Sequence, residues 1–320
     1  MSLKNKSILV AGGAGFIGSH LVDSILAMDV EKVIVIDNLS IGKERNLETA
    51  KKYSNFKFFK EDATNFDKTQ QILKDEGVEV VFNLAALPLP ASLINPLWVF
   101  DENITITKNL CEMAREDIFK TLMQFSTSEV YGTTIYNPMN EEHPLNPHTP
   151  YAASKAACDH LAHSYYKTFG IDISIIRPFN NYGPRQNEGN YAAIIPLTIK
   201  KLLKGENPII YGDGLQTRDF VYVQDDVNAI LSIYNCKATR GKSINIASGR
   251  EIVIKELIEV IMKHLGIYKE IVYEEPRKGD VRRLIGDITT LKNLTGFEPK
   301  MSFEEGIKKT IDWYKKNIEK

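Results

Sequence analysis

Lys6-Ser-Ile-Leu-Val-Ala11, Gly12-Gly13-Ala14-Gly15-Phe16-Ile17-Gly18, Ser19-His-Leu-Val-Asp-Ser-Ile-Leu26 and Val33-Ile-Val-Ile-Asp37 decide the fold. In order they read as strand, glycine turn, helix, strand and acid. The apolar run Ile8–Ala11 has the pattern of a parallel strand buried on both faces. Gly12, Gly15 and Gly18 are three apart. That spacing suits a tight turn, a close backbone approach to a pyrophosphate, and close packing of helix on strand. The amides of Phe16, Ile17 and Gly18, at the start of the helix, are placed to hold an anion. Asp37 closes the second strand about twenty residues on, with Asn38 behind it, where a carboxylate accepts from both hydroxyls of an adenosine ribose and favours NAD over NADP. A glycine-rich hairpin is the alternative for the turn alone. The two strands, the helix and the acid together point to dinucleotide binding.

The chain has 320 residues, enough for one large α/β domain with a smaller lobe. Its 43% hydrophobic and 25% charged residues are those of an ordinary globular protein. The formal net charge of −1 gives no general attraction to nucleic acid or to a membrane surface. No signal peptide and no membrane-spanning run stands out, so a cytoplasmic enzyme is expected. Cys111, Cys158 and Cys236 are scattered without metal-ligand spacing and fit reduced thiols. His160 and His163 have no third ligand spaced to join them, so no metal site is expected.

Strand and helix signals alternate through the first half: Phe56–Lys60, Asp67–Glu76, Val78–Leu84, Ile94–Glu116, Leu122–Phe125, Tyr151–Phe169 and Asp172–Ile176. Such alternation predicts an α/β fold, a doubly wound parallel sheet of Rossmann type with helices on both faces. Ligands then sit at the carboxyl ends of the strands. After Pro178 the texture changes. Asn180-Asn-Tyr-Gly-Pro-Arg185 reads as a turn, Phe220–Val223 as a strand, Val227–Tyr234 as a helix and Ser243–Ile246 as a further strand of the main sheet. Residues 1–178 are therefore assigned to the NAD-binding domain, with 220–247 returning to it. Residues 179–219 and 248–320 are assigned to a smaller substrate-binding lobe.

Tyr151-Ala-Ala-Ser-Lys155 puts a phenol and an ammonium one turn apart on one helix face. A nearby ammonium favours the ionised phenol, and a bound nicotinamide cation pushes the same way. A phenolate of this kind removes a hydroxyl proton while hydride leaves the same carbon. The spacing also occurs by chance in many helices; its weight comes from following a nucleotide-binding half. Phe125-Ser-Thr127-Ser128-Glu129-Val-Tyr-Gly132 comes directly off a strand. Its hydroxyls suit a reacting sugar oxygen, and Glu129 is a candidate base towards carbon. A loop acid or helix cap is the alternative for Glu129.

With these residues the sequence resembles the extended short-chain dehydrogenase/reductases of the nucleotide-sugar epimerase/dehydratase group. The resemblance spans essentially the whole chain. It also rests on Asp62, Asn83-Leu-Ala-Ala86, Arg177-Pro-Phe-Asn180, Tyr211-Gly-Asp-Gly214, Thr217-Arg-Asp-Phe220 and Pro276-Arg-Lys-Gly-Asp280. It implies NAD as cofactor, with Asp62 and Ala63 at the adenine and Leu84, Ala85 and Ala86 lining the cofactor cleft. It implies a nucleoside diphosphate sugar as substrate, met by Asn180, Arg185, Arg218, Arg277 and Asp280. It further implies a homodimer paired through helices 94–116 and 151–169. The shared first step would be oxidation of the sugar at C4, begun by Tyr151 with help from Thr127.

Members of this group diverge once the ketone at C4 has formed. Thr127-Ser128-Glu129 is the pattern of 4,6-dehydratases and decarboxylases; in the dehydratases a glutamate takes the C5 proton. The second lobe, with Arg277-Lys-Gly-Asp-Val-Arg-Arg283, looks more like the 4-epimerases. Ser128 stands where some dehydratases carry an acidic aspartate. Leu87-Pro-Leu-Pro-Ala-Ser92 departs from the more polar segment usual there and is expected to reshape the sugar pocket. A 4,6-dehydratase is the first reading and a 4-epimerase the alternative. Behind them come a glucuronate decarboxylase and a catalytically silent NAD-binding protein.

Overall fold

The computed structural model describes residues 2–189, 192–276 and 281–317. In chain order the first half runs β1 (Ser7–Ala11), α1 (Phe16–Leu26), β2 (Lys32–Ile36), β3 (Phe56–Phe59), α2 (Phe66–Asp75), β4 (Val80–Asn83), α3 (Leu89–Ser92), α4 (Pro96–Arg115), β5 (Thr121–Phe125), α5 (Pro150–Phe169) and β6 (Asp172–Pro178). The second half runs β7 (Asn180–Tyr182), α6 (Ile194–Leu203), β8 (Ile209–Tyr211), β9 (Thr217–Arg218), β10 (Phe220–Tyr222), α7 (Val223–Asn235), β11 (Ser243–Ile246), β12 (Ile252–Val253), α8 (Ile254–Leu265), β13 (Val272–Glu274), α9 (Thr289–Thr295) and α10 (Phe303–Asn317).

Seven strands form one parallel sheet in the order β3-β2-β1-β4-β5-β6-β11. Each residue of β1, β4 and β5 is buried, which accounts for their mostly apolar make-up. One face packs Leu21, Val22 and Ile25 of α1 with Ile230 and Tyr234 of α7. The other packs Leu73 of α2, Leu110 and Met113 of α4 and Ala162 of α5. The strand order reverses direction between β1 and β4, so the crevice for a ligand opens at their carboxyl ends.

A third core holds the second lobe together: Ile195 and Ile199 of α6, Leu257 and Ile261 of α8, and Ile307 and Ile311 of α10. Three two-stranded sheets, β7 with β10, β9 with β12 and β8 with β13, edge this lobe. Asn180–Tyr182 is thus a strand and not part of a turn, because Phe220–Tyr222 returns beside it in parallel register. β11 joins the main sheet through β6. Although α9 lies late in the chain, its Leu291 enters the first core. No helix among the described residues is long and apolar enough to cross a membrane.

Candidate active site

A cleft of about 980 Å³ runs along the carboxyl ends of β1, β2, β4 and β5 and on to the second lobe. Its first wall is the glycine turn. Gly12 has a φ of +77°, and a Cβ there would stand 2.7 Å from the Ala85 amide nitrogen. A Cβ on Gly18 would stand 2.2 Å from the Gly12 carbonyl oxygen. Both positions therefore demand glycine, one for the approach of the β4 loop and one for seating α1 on the turn. Gly15 faces the cleft as the N-cap of α1, and neither a side-chain cap nor an acid in the first turn occupies that end. The first amides of α1 thus point at an anion site.

Asp37 and Asn38 follow at the end of β2. The Asp37 carboxylate accepts from the Ala14 amide at 2.9 Å and from the Leu39 amide at 2.8 Å. Burial pushes its carboxyl up, and those two amides hold it back. Asp62 is opposed by burial, but hydrogen bonds from Thr64 and Asn38 prevail and keep its carboxyl below the usual range. Ala63, Leu84, Ala85 and Ala86 complete this half of the cleft. Asn109 of α4 fixes the β3 loop by donating to the Thr64 carbonyl at 2.8 Å. A glycine cradle that no Cβ fits and a buried ribose-type acid suit a nicotinamide dinucleotide.

The reacting end lies where β5 and α5 meet. Thr149 caps α5 by accepting from the Ala152 amide at 3.2 Å, and Pro150 takes the first turn. This start sets Tyr151 in the cleft wall with Lys155 buried one turn below. Thr127 caps the short turn Ser128–Tyr131 through the Glu129 amide at 3.2 Å, which places Thr127, Ser128 and Glu129 along the same wall.

Tyr151 differs from the expectation of a depressed phenol. In the protein alone its pKa is raised, first by burial and then by the charge of Glu129, against a hydrogen bond from Thr127. Burial likewise lowers the Lys155 ammonium, with Cys158 and Asp159 opposing. The fold therefore puts Glu129, Thr127 and Tyr151 within electrostatic reach of one another.

The second lobe supplies Asn180 and Arg218 to the same cleft. Asn180 is held by its backbone amide on the Asp219 carbonyl at 3.0 Å. Its Nδ2, with Asn181 Oδ1, Gln186 Oε1 and Gln216 Oε1, has no partner among the described residues, and all four side chains line the cleft. Asn181, Gln186 and Gln216 were not foreseen; the amide residues of the Asn180–Gln186 run were the available signal. Arg185 does not join the cleft lining. Its Nη2 donates to Asp23 of α1 at 2.7 Å, while its buried Nη1 has no hydrogen-bond partner among the described residues. Arg277 and Asp280 lie outside the described residues.

Other residues missed by the sequence reading sit behind the wall. Asn103 of α4 accepts from the Leu87 amide at 2.8 Å and donates to the Ser154 hydroxyl at 3.0 Å, clamping the loop after β4 beside Tyr151. Arg177 Nε donates to Asp159 at 2.9 Å and its Nη1 to the Tyr131 hydroxyl at 3.0 Å. Tyr131 in turn donates to Asn245 at 2.7 Å. This buried chain pins the turn that carries Glu129. His160 and His163 are exposed, and no group of three or more His, Cys, Asp or Glu able to hold a metal occurs among the described residues.

Residues 9–310 match the family model described as GDP-mannose 4,6 dehydratase. The chain belongs to the nucleotide-sugar epimerase/dehydratase family of the extended short-chain dehydrogenase/reductases. A putative UDP-glucose 4-epimerase of Methanocaldococcus jannaschii is 39% identical over 97% of this chain and 99% of that protein. A UDP-glucose 4-epimerase of Thermotoga maritima, solved with UDP-glucose, superposes with a TM-score of 0.92 at 35% identity, covering 98% of this chain and 100% of that one. A dTDP-glucose 4,6-dehydratase of Streptomyces venezuelae, solved with NAD and TYD bound, also gives 0.92, at 32% identity over 97% of both chains. Epimerases and dehydratases thus resemble this fold equally well.

Proposed function

We propose that the chain binds NAD and modifies the hexose of a nucleoside diphosphate sugar through a ketone at C4, with loss of water across C5 and C6. The first similar relatives make C4 chemistry the common ground. The observation that carries the step beyond it is Glu129, a carboxylate in the cleft wall whose charge is felt by the Tyr151 phenol.

NAD in the cleft supplies a reversible hydride acceptor for C4 and a positive ring charge that lowers the Tyr151 phenol. Tyr151 takes the proton from the 4-hydroxyl, and the Thr127 hydroxyl orients that oxygen. Lys155, one turn below, stabilises the phenolate. A ketone at C4 makes the C5 proton acidic, and Glu129 removes it. Ser128 offers its hydroxyl to the oxygen leaving C6. Arg218 suits the diphosphate, with Asn180 beside it. Arg277 and Asp280 are proposed to meet the diphosphate and the nucleoside ribose. Return of the hydride to C6 and of a proton to C5 would then saturate the C5–C6 bond left by water loss, so no net oxidation results.

A second reading, a 4-epimerase, is favoured by one specific feature. Ser128 is no acid, so the C6 oxygen lacks a strong proton donor beside Glu129. Glu129→Gln separates the two. Under the dehydratase reading the variant loses water elimination, while the ketone at C4 still forms and is trapped by borodeuteride as a deuterium at C4. Full product formation by the variant contradicts a role at C5. The outward faces of α4 and α5 are proposed to pair with a second copy; a monomeric mass at micromolar concentration contradicts that.

A further inference from the structure

Asp219 stands between the two second-lobe residues offered to the nucleotide sugar. It follows Arg218 in the chain, and its carbonyl accepts from the Asn180 amide at 3.0 Å. Asn180 then runs beside Phe220 in the parallel pair of β7 and β10. Asn180, Arg218 and Phe220 line the cleft, whereas Asp219 does not, and its side chain is fully buried.

The Asp219 carboxylate gathers four donors from two distant segments. Its Oδ1 accepts from the Ser248 amide at 2.7 Å and from the Ser248 hydroxyl at 2.6 Å. Its Oδ2 accepts from the Gly249 amide at 3.0 Å and from the Gly286 amide at 3.2 Å. Ser248 and Gly249 follow β11 of the main sheet. Gly286 admits no side chain, since a Cβ there would stand 2.4 Å from the Ala247 Cβ and 2.7 Å from the Phe179 ring. Burial pushes the Asp219 carboxyl up, and these donors work against it. A neutral amide of the same shape could not replace it, because the amide nitrogen would face N–H groups and leave buried donors unpaired.

The Gly286 segment leads on to the wall that carries Glu129. Gly286 lies beside Met139 in a parallel bridge. The Met139 amide donates to the Ile285 carbonyl at 2.9 Å, and the Asp287 amide donates to the Met139 carbonyl at 2.8 Å. Asn245 donates to that same carbonyl at 3.0 Å and accepts from Tyr131, the last residue of the turn holding Glu129. Backbone and hydrogen bonds thus run without a break from Asn180, through Asp219, to that turn.

We infer that Asp219 is a positioning residue: its carboxylate fixes Arg218 and Asn180 relative to the wall that carries Glu129, and donor affinity depends on it through Arg218. The inference rests on the proposed nucleotide-sugar chemistry and adds to it a residue outside the cleft lining.

The test titrates the NAD-loaded protein by calorimetry with the diphosphates of uridine, thymidine, guanosine and cytidine. On whichever base binds the parent, Asp219→Asn is expected to weaken the diphosphate by about tenfold or more. NAD affinity is expected to stay within about twofold, which shows an intact fold. On an Arg218→Ala background the same substitution is expected to add less than about threefold, whereas a merely structural loss would repeat in full. Ser248→Ala removes one donor without touching the carboxylate and is expected to weaken the diphosphate about threefold. It decides the matter if Asp219→Asn yields no protein that binds NAD. Unchanged diphosphate affinity in the variants that bind NAD overturns the inference, as does a full repeat of the loss on the Arg218→Ala background. A parent that binds NAD but none of the four diphosphates instead overturns the nucleotide-sugar reading, and the inference with it.

Discussion

Arg177 and Asp159 form an ion pair at 2.9 Å with their side chains only 6% and 2% exposed, directly behind the turn that carries Glu129. The Arg177 guanidinium also lies 5.0 Å from the Tyr131 ring centroid. Burial raises the Asp159 carboxyl, and the Arg177 charge works against it. Removing one partner leaves an uncompensated charge in the core. Asp159→Ala is therefore expected to cost about 3–5 kcal/mol of folding stability. Tyr131→Phe, which removes only hydrogen bonds, should cost about 1 kcal/mol. Urea denaturation of both variants checks the order, and equal costs would show that the pair is not the anchor.

Asp226 in α7 is buried, and neither carboxylate oxygen has a partner among the described residues. Burial, with Asp225 next in effect, raises its carboxyl from 3.8 to about 8. A raised carboxyl means that the folded protein holds a proton which the unfolded chain has released. Stability from this group is complete below about pH 4 and is lost as the pH rises towards about 8. Asp226→Asn should be more stable than the parent by a few kcal/mol, on the order of the pKa shift, at the upper end of that window. The difference should vanish at the acid end. Thermal melts across that window measure it.

Gly18→Ala drives a Cβ to within 2.2 Å of the Gly12 carbonyl oxygen, so the glycine turn must open. NAD affinity should fall by at least about tenfold, or about 1.4 kcal/mol. Equilibrium binding of the dinucleotide reads this without substrate. Unchanged affinity would remove the turn from the cofactor site.

Glu188 spans the two parts of the molecule. It pairs with Lys43 at 2.9 Å and also with Arg45, both on the segment that follows Asp37. That segment lies over the carboxylate: a Cβ on Gly42 would stand 2.8 Å from either Asp37 oxygen. Glu188→Gln should hasten NAD release about threefold, in keeping with a partly exposed pair worth under about 1 kcal/mol. Added salt should hasten release from the parent and have less effect on the variant.

The elements nearest the chemistry were legible because their signals are local. Three glycines, an acid closing a strand, and a tyrosine four residues before a lysine each impose a spacing on the sequence. Their partners leave no such mark. Asn103 reaches Leu87 and Ser154 across separate elements, and Asp159 reaches Arg177 across a helix and a strand. Nor does spacing show that Arg185 donates to Asp23 of α1 across the chain. Asn180–Tyr182 read as a turn because its β partner lies forty residues on. The spacing of Tyr151 and Lys155 carries the ammonium but neither the burial of the phenol nor the Glu129 charge beside it.

The role of Glu129 at C5 is tested most directly by turnover in deuterium oxide, with the sugar product read by mass spectrometry and proton resonance. Elimination begun by Glu129 yields a product lighter by one water, and its C5 hydrogen exchanges with solvent deuterium. A product of unchanged mass, inverted at C4 and free of solvent deuterium at C5, would contradict it.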